Sequence, residues 1–258
     1  MIGAIVGDVI GSPHEGYRVG TKRFPLFDRQ CRFTDDTVLT VAVADVLLNG
    51  GTYAERYQDY FHRYPDAGYG SNFRKWAESC DPEPYGSFGN GSAMRVSPVG
   101  FALDSLDEVL AEAKRSAEPT HNHPEGIKGA QAIAAAVFLA RIKTEKPEIH
   151  SYLERTFQYD LRQSVAAMRS NYCFDVTCQV TVPAALTCFL ESTDFEDAVR
   201  NAVSLGGDTD TLACMAGSVA QAYYDEVPDA IEREALSRLD LALLGTTHEF
   251  TARFVRRR

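Results

Sequence analysis

The sequence predicts an all-α fold, and three observations carry that expectation. Apolar residues recur at helical spacing along most of the 258 residues. Alternating strand patterns are nearly absent. Glycine pairs such as Gly50-Gly51 and Gly206-Gly207 stand where periodic stretches stop, as helix C-caps do. Taken in order, Gly3, Gly7 and Gly11 repeat at four-residue spacing, so one helical face would let another backbone approach closely. Residues 36–48 are apolar nearly all round, the mark of a buried helix. Further helices are expected over 54–64, 105–117, 126–143, 152–169, Phe195–Leu205, Thr209–Tyr224 and 230–244. Only "CFDVTCQVTV" has β character, and its closing Pro183 could equally begin a helix. The terminal "RFVRRR", 253–258, reads as a frayed basic tail. With no linker, repeat or low-complexity tract, 1–258 is expected to form one domain.

Composition narrows the function classes. Apolar residues make up 45% and charged residues 24%, the balance of a soluble globular protein with a real core. A formal net charge of −10 argues against general nucleic-acid binding. No apolar run approaches the length of a membrane span. The start, "MIGAIVGDVIG", lacks a basic leader and is interrupted by Asp8. The six cysteines form neither a CxxC pair nor a zinc spacing. Cys188 and Cys214 fall on apolar helical faces as small hydrophobes, and a Cys173–Cys178 bridge is left open. These features point to a reducing cytoplasm, and a monomer is the default.

Chemistry concentrates at two helix mouths. "FTDDT" places Thr34, Asp35, Asp36 and Thr37 where an apolar helix begins. Helix capping explains such a start well, because Thr34 can accept an orphan amide and first-turn acids suit the helix dipole. "SLGGDTDT" then puts Asp208, Asp210 and Thr211 at a second mouth, although a cap needs only one of those acids. If the two mouths meet, four carboxylates and two hydroxyls converge. Oxygen ligands of that kind suit Mg²⁺, Mn²⁺ or Ca²⁺, and two divalent ions would cancel four negative charges. A rival reading takes "DTDT" as the nucleophile motif of haloacid-dehalogenase-type phosphatases. That motif needs a buried strand before its first aspartate, where this chain has the helical "FEDAVRNAVSLGG".

The loop "YGSFGNGSAMR" has its own logic. Gly86, Gly89 and Gly91 would let backbone amides face an anion, and Ser87, Asn90 and Ser92 add donors; a plain interhelical turn is the alternative. In "THNHPEGIKGA", His121 and His123 stand near a helix start, where a histidine is commonly a cap or core residue. Glu125 and Gly126 look like helix initiation, and Glu15 like an exposed loop carboxylate.

In their order along the chain, "GDVIGSPHEG", "FTDDT", "GSFGNGSAMR", "THNHPEGIKGA" and "SLGGDTDT" resemble the ADP-ribosylglycohydrolase family. The likeness runs from Gly3 to about Tyr224. It implies a compact all-α fold, two Mg²⁺ or Mn²⁺ ions, and hydrolysis of the bond between ADP-ribose and a protein or small-molecule acceptor. By that resemblance Thr34, Asp35, Asp36, Asp208, Asp210 and Thr211 are the metal ligands. Glu15 matches the acid–base glutamate of the serine-type enzymes, with Asp36 or Asp210 as the fallback of the arginine type. The loop from Gly86 to Ser92, with Phe88 as a stacking surface, Met94 and His121 would hold ADP-ribose. Asp8 would support the metal ligands from behind, and His14 would orient Glu15. The resemblance favours an O-linked substrate, serine-linked or O-acetyl-ADP-ribose, over an arginine-linked one. A binding-only or crystallin-like relative, or a hydrolase of another nucleotide-sugar or phosphoester, would be the other classes.

Overall fold

A computed structural model describes residues 1–255. In chain order its helices are α1 (Ile2–Gly11), α2 (Asp35–Asn49), α3 (Tyr53–Arg63), α4 (Ser71–Ala77), α5 (Gly91–Met94), α6 (Ser97–Ala102), α7 (Leu106–Ala117), α8 (Pro124–Arg141), α9 (Lys146–Phe157), α10 (Val165–Asn171), α11 (Cys178–Leu190), α12 (Phe195–Leu205), α13 (Thr209–Tyr224), α14 (Asp229–Leu236) and α15 (Leu241–Phe250). Among the described residues there is no β-strand, only an isolated antiparallel bridge between Gly89 and Thr177. None of these helices is long and apolar enough to cross a membrane.

Helix α13 is the axis of the fold. It is buried from Thr209 to Ala222 and packs against α1, α12, α11 and α8. An apolar surface all round requires such a surrounded position. Helix α1, buried along its whole length, lies against α13 through the expected glycine face. A Cβ on Gly7 would stand 2.0 Å from the Ala213 carbonyl oxygen, and one on Gly3 2.2 Å from that of Gly217. Only glycine lets the two backbones come this near.

Local caps set the other boundaries. Thr52 and Glu55 close a reciprocal capping box at α3, and Asp194 accepts from the Asp197 amide at 2.8 Å at α12. Two long helices predicted from periodicity are each broken in two. The stretch 152–169 is interrupted after α9, where Gln158 turns left-handed at φ 58°, and Ser164 caps α10. The stretch 230–244 is cut because the Asp240 carboxylate accepts from the Ala242 and Leu243 amides, both at 2.9 Å, starting α15 afresh. Of the segment with β character, Thr177 supplies the one bridge and Cys178 begins α11, with Pro183 inside it. The end of the chain departs from the frayed tail expected there. Residues 251–255 form a π-helical turn, Arg253 Nη1 donates to the Leu48 carbonyl at 3.1 Å, and Phe254 packs 4.9 Å from Phe250. The rest of that tail, 256–258, lies outside the described residues.

Candidate active site

Both acidic helix mouths are tied to α1. Asp8 is fully buried and its carboxylate accepts from the Thr34 amide at 2.9 Å, the Thr34 hydroxyl at 2.7 Å, the Thr37 amide at 3.1 Å and the Thr37 hydroxyl. One acid thus meets two orphan amides of α2 and both flanking hydroxyls. At the other mouth, the Thr209 hydroxyl donates to the Gly11 carbonyl at 2.9 Å. The glycine face of α1 therefore fixes how far apart the two mouths stand.

They meet. One carboxylate oxygen from each of Asp8, Asp36 and Asp210 lies within 4.8 Å of the others, and the same holds for Glu15, Asp208 and Asp210. Thr211 bridges the mouths, its hydroxyl donating to Asp36 Oδ2 at 3.1 Å. Among the described residues no lysine or arginine pairs with any of these acids. Burial pushes their proton affinities up, and in Asp35, Asp36, Asp210 and Glu15 the neighbouring carboxylates come next. Asp35 rises to about 8 through burial and then the charge of Asp8. Asp36 and Asp210 are held well above the ordinary carboxylate range. Asp208 and Asp8 are raised as well, burial being the largest cause in both, and Glu15, exposed as a residue, is raised by the solvent its carboxylate loses and then by the charge of Asp208. Asp36 Oδ1 is buried with no hydrogen-bond partner among the described residues. A buried anionic oxygen without a donor, amid uncompensated carboxylates, is the environment that a hard divalent cation relieves. The all-oxygen donor set fits such an ion. Asp8 differs from its neighbours, since four donors already occupy its carboxylate.

The family model for ADP-ribosylglycohydrolase matches residues 1–257. The chain belongs to the ADP-ribosylglycohydrolase family. It is 28% identical to the ADP-ribosylhydrolase ARH3 of Xenopus tropicalis over 88% of this chain and 86% of that protein. Against the human ARH3 the identity is 27%, with 89% and 86% covered. The ADP-ribosylarginine hydrolase Tri1 of Pseudomonas putida is 26% identical over 92% of this chain and 74% of its own length. A solved structure, an ADP-ribosylglycohydrolase-related protein complex, superposes with a TM-score of 0.71 at 26% identity, covering 98% and 96% of the two chains.

In this family member Asp36, Asp208 and Asp210 open onto a cavity of about 380 Å³ that Ser87, Gly89, Asn90, Gly91, Met94 and His121 also line, while Asp8 lies behind them. The cavity takes in Thr34, Asp35 and Glu15 as well. The glycine loop is held in place by its own amides. Gly86 N donates to Asn122 Oδ1 at 2.8 Å, Ser87 N to the Thr120 carbonyl at 3.3 Å, Gly89 N to Ser87 Oγ at 3.1 Å and Asn90 N to the Val176 carbonyl at 2.8 Å. Ser92 is buried, and its hydroxyl donates to the Gly126 carbonyl at 2.7 Å, which ties the loop to α8. Asn90 faces the acids instead: its Nδ2 donates to Asp208 Oδ2 at 2.6 Å. Phe88 stands outside the cavity lining, 46% exposed and 5.3 Å from the His123 ring.

Other assignments resolve locally. His123 is the N-cap of α8, its Nδ1 accepting from the Glu125 amide at 3.1 Å. His14 packs edge-on against Phe24 at 5.1 Å and makes no hydrogen bond to Glu15, so the orienting role expected of it is not borne out. Cys173 and Cys178 are both free. Cys178 is buried, its thiol is pushed up to about 12 by burial, and it donates to the Gly89 carbonyl at 3.0 Å. Sequence reasoning missed Tyr85, Arg32 and Arg95, which also line the cavity. Tyr85 and Arg95 open and close the stretch "YGSFGNGSAMR", and that placement was the available signal.

Proposed function

We propose that this protein hydrolyses the glycosidic bond between ADP-ribose and an acceptor oxygen, serine-linked substrates or O-acetyl-ADP-ribose being the favoured class. The observation that carries this reading is the meeting of two acidic helix mouths, with the unpartnered Asp36 Oδ1, beside a glycine loop in one cavity. Thr34, Asp35, Asp36, Asp208, Asp210 and Thr211 would hold two Mg²⁺ or Mn²⁺ ions. When bound, these ions neutralise the acids and orient the hydroxyls of the distal ribose. Both threonine hydroxyls already donate to carboxylates, Thr34 to Asp8 and Thr211 to Asp36. Thr34 Oγ1 also accepts from the Asp36 amide at 3.2 Å, so each oxygen keeps at least one lone pair with which to act as a neutral ligand. Asn90 holds Asp208 in register. Ser87, Gly89, Gly91, Met94 and His121 form the ADP-ribose side of the cavity, with Gly86, Phe88 and Ser92 shaping the loop.

Glu15 stands where acceptor and water would enter. An alkoxide is a poor leaving group, so a serine-linked substrate needs a proton delivered to its oxygen as the anomeric bond breaks. Glu15, with proton affinity raised by loss of solvent and then by the charge of Asp208, is suited to hand over that proton and to recover one from the incoming water. Arginine-linked cleavage is the second reading, favoured by the similarity to a protein named for ADP-ribosylarginine. It would rest on Asp36 or Asp210 rather than Glu15. Glu15→Gln is expected to slow release from a serine-linked peptide by about 100-fold or more, the usual weight of a general acid, while ADP-ribose still binds. Full activity in that variant, measured as released ADP-ribose, would remove Glu15 from the mechanism.

A further inference from the structure

Arg95 is an unusual cation to find inside a protein. It is fully buried, and no carboxylate among the described residues pairs with it. Its Cζ lies 4.0 Å from the centre of the Tyr57 ring, and among the described residues its Nε and Nη1 have no hydrogen-bond partner. Only Nη2 is engaged, donating to the Ser116 carbonyl at 3.1 Å and to Thr120 Oγ1 at 2.8 Å. The geometry next to it settles a question of direction. A guanidinium can only donate, so Thr120 Oγ1 accepts that bond. The other neighbour of the hydroxyl is His121 Nδ1, at 2.7 Å. A hydroxyl oxygen can accept twice, so this bond alone does not fix the ring. The Thr120 hydroxyl also keeps a proton of its own, and among the described residues His121 Nδ1 is the one acceptor within reach of it, so Nδ1 takes it. His121 Nε2 then carries the ring's proton. It lies against the glycine loop, 3.2 Å from where a Cβ on Gly91 would be and 3.7 Å from one on Gly89, and all three residues line the cavity.

We propose that Arg95, acting through Thr120, is a positioning residue that fixes His121 as the Nε2–H tautomer and so aims a hydrogen-bond donor into the cavity at an anionic oxygen of the ligand. This rests on the reading of the cavity as an ADP-ribose site, where the diphosphate supplies such oxygens. Burial, and then the charge of Arg95, keep the ring neutral. A neutral imidazole has one donor and one acceptor, and which nitrogen is which depends on the partner of the other. Without the Arg95–Thr120 chain, either nitrogen could carry the proton, and the ring could offer the phosphate a lone pair.

The test uses the whole protein with ¹⁵N-labelled histidine and two-bond ¹H–¹⁵N correlation spectra, the His121 signals being assigned by their loss in His121→Gln. The wild type is expected to show a protonated Nε2 and an unprotonated Nδ1 shifted by accepting a hydrogen bond. In Thr120→Val, which keeps the shape and removes the hydroxyl, Nδ1 should move to the position of an unbonded nitrogen or enter tautomer exchange. ADP-ribose should then bind about tenfold more weakly, the size of one lost bond to a charged group. Thr120→Ser should restore both. A wild-type spectrum with the proton on Nδ1, or a His121 signature unchanged in Thr120→Val, overturns the proposal. The wild-type spectrum alone decides the tautomer even if a variant does not fold. An Nε2–H ring in a wild type that binds no ADP-ribose supports the tautomer and refutes the reading of the ligand.

Discussion

Asp36→Asn is expected to lower kcat/KM for ADP-ribose release by at least about 100-fold, the upper cost of disturbing even the surroundings of a metal site. It should also abolish any rise in Tm that Mg²⁺ or Mn²⁺ gives the wild type. Asp36 Oδ2 is engaged by Thr211, but Oδ1 is buried and unpartnered. An amide there keeps the shape and loses the charge. The pH dependence of stability should change with it. In the folded protein Asp36 keeps its proton well above the ordinary carboxylate range because of burial and then the charges of Asp8, Asp35 and Asp208. Asp35 is pushed to about 8. From about pH 4, where unfolded aspartates lose their protons, up through these folded values, the native state binds more protons than the unfolded chain. Stability therefore falls as pH rises through that window. The wild type in chelator should lose Tm between about pH 5 and about pH 8, and Asp36→Asn should lose less, because one of the repelling groups is gone. Thermal unfolding at both pH values, with metal and with chelator, reads all of these effects. A variant that metal still stabilises as strongly as the wild type would contradict the assignment.

Gly7→Ala should cost about 3 kcal/mol or prevent folding, at the upper end for a group forced into a packed core. Its Cβ would lie 2.0 Å from the Ala213 carbonyl oxygen and 2.6 Å from the Cys214 amide nitrogen, both backbone atoms that cannot swing away. The two helices would have to separate. Asp8 follows Gly7 directly, and Asp210 lies one turn before Cys214 on α13, so separation also spoils the geometry of the acids. Metal should then give Gly7→Ala a smaller gain in Tm than the wild type. Gly245 in α15 is the control, since a Cβ there meets nothing within 4 Å. Gly245→Ala should be neutral or stabilise by about 0.5–1 kcal/mol through helix propensity. Denaturant unfolding of the two variants makes the comparison, and equal stabilities would contradict the close approach of α1 to α13.

Helical periodicity foretold α2, α12 and α13 well because α2 and α13 are apolar on most sides, α12 carries a clear apolar stripe, and α2 and α12 stop at glycine pairs. It failed at 152–169 and 230–244. There the breaks come from a left-handed Gln158 and from Asp240, whose side chain competes for amides in a way that periodicity does not register. The four-residue glycine spacing announced a close helix contact, and α1 against α13 is that contact. Nothing in the spacing said that these were the helices that bring the two acidic mouths together. The partner of Asn90 was hidden for a similar reason: a loop amide 118 residues from Asp208 looks like a phosphate donor until the fold pairs them. Asp8 was legible as an acid in an apolar helix, but its four donors depend on the register of α1 against α2.

The most direct test of the account is release of free ADP-ribose from matched serine- and arginine-modified peptides, first with Mg²⁺ and then with chelator. The account predicts release from the serine-linked peptide, lost on chelation. Release that persists in chelator would contradict the role given to the acidic cluster, and release from the arginine-linked peptide alone would contradict the role given to Glu15.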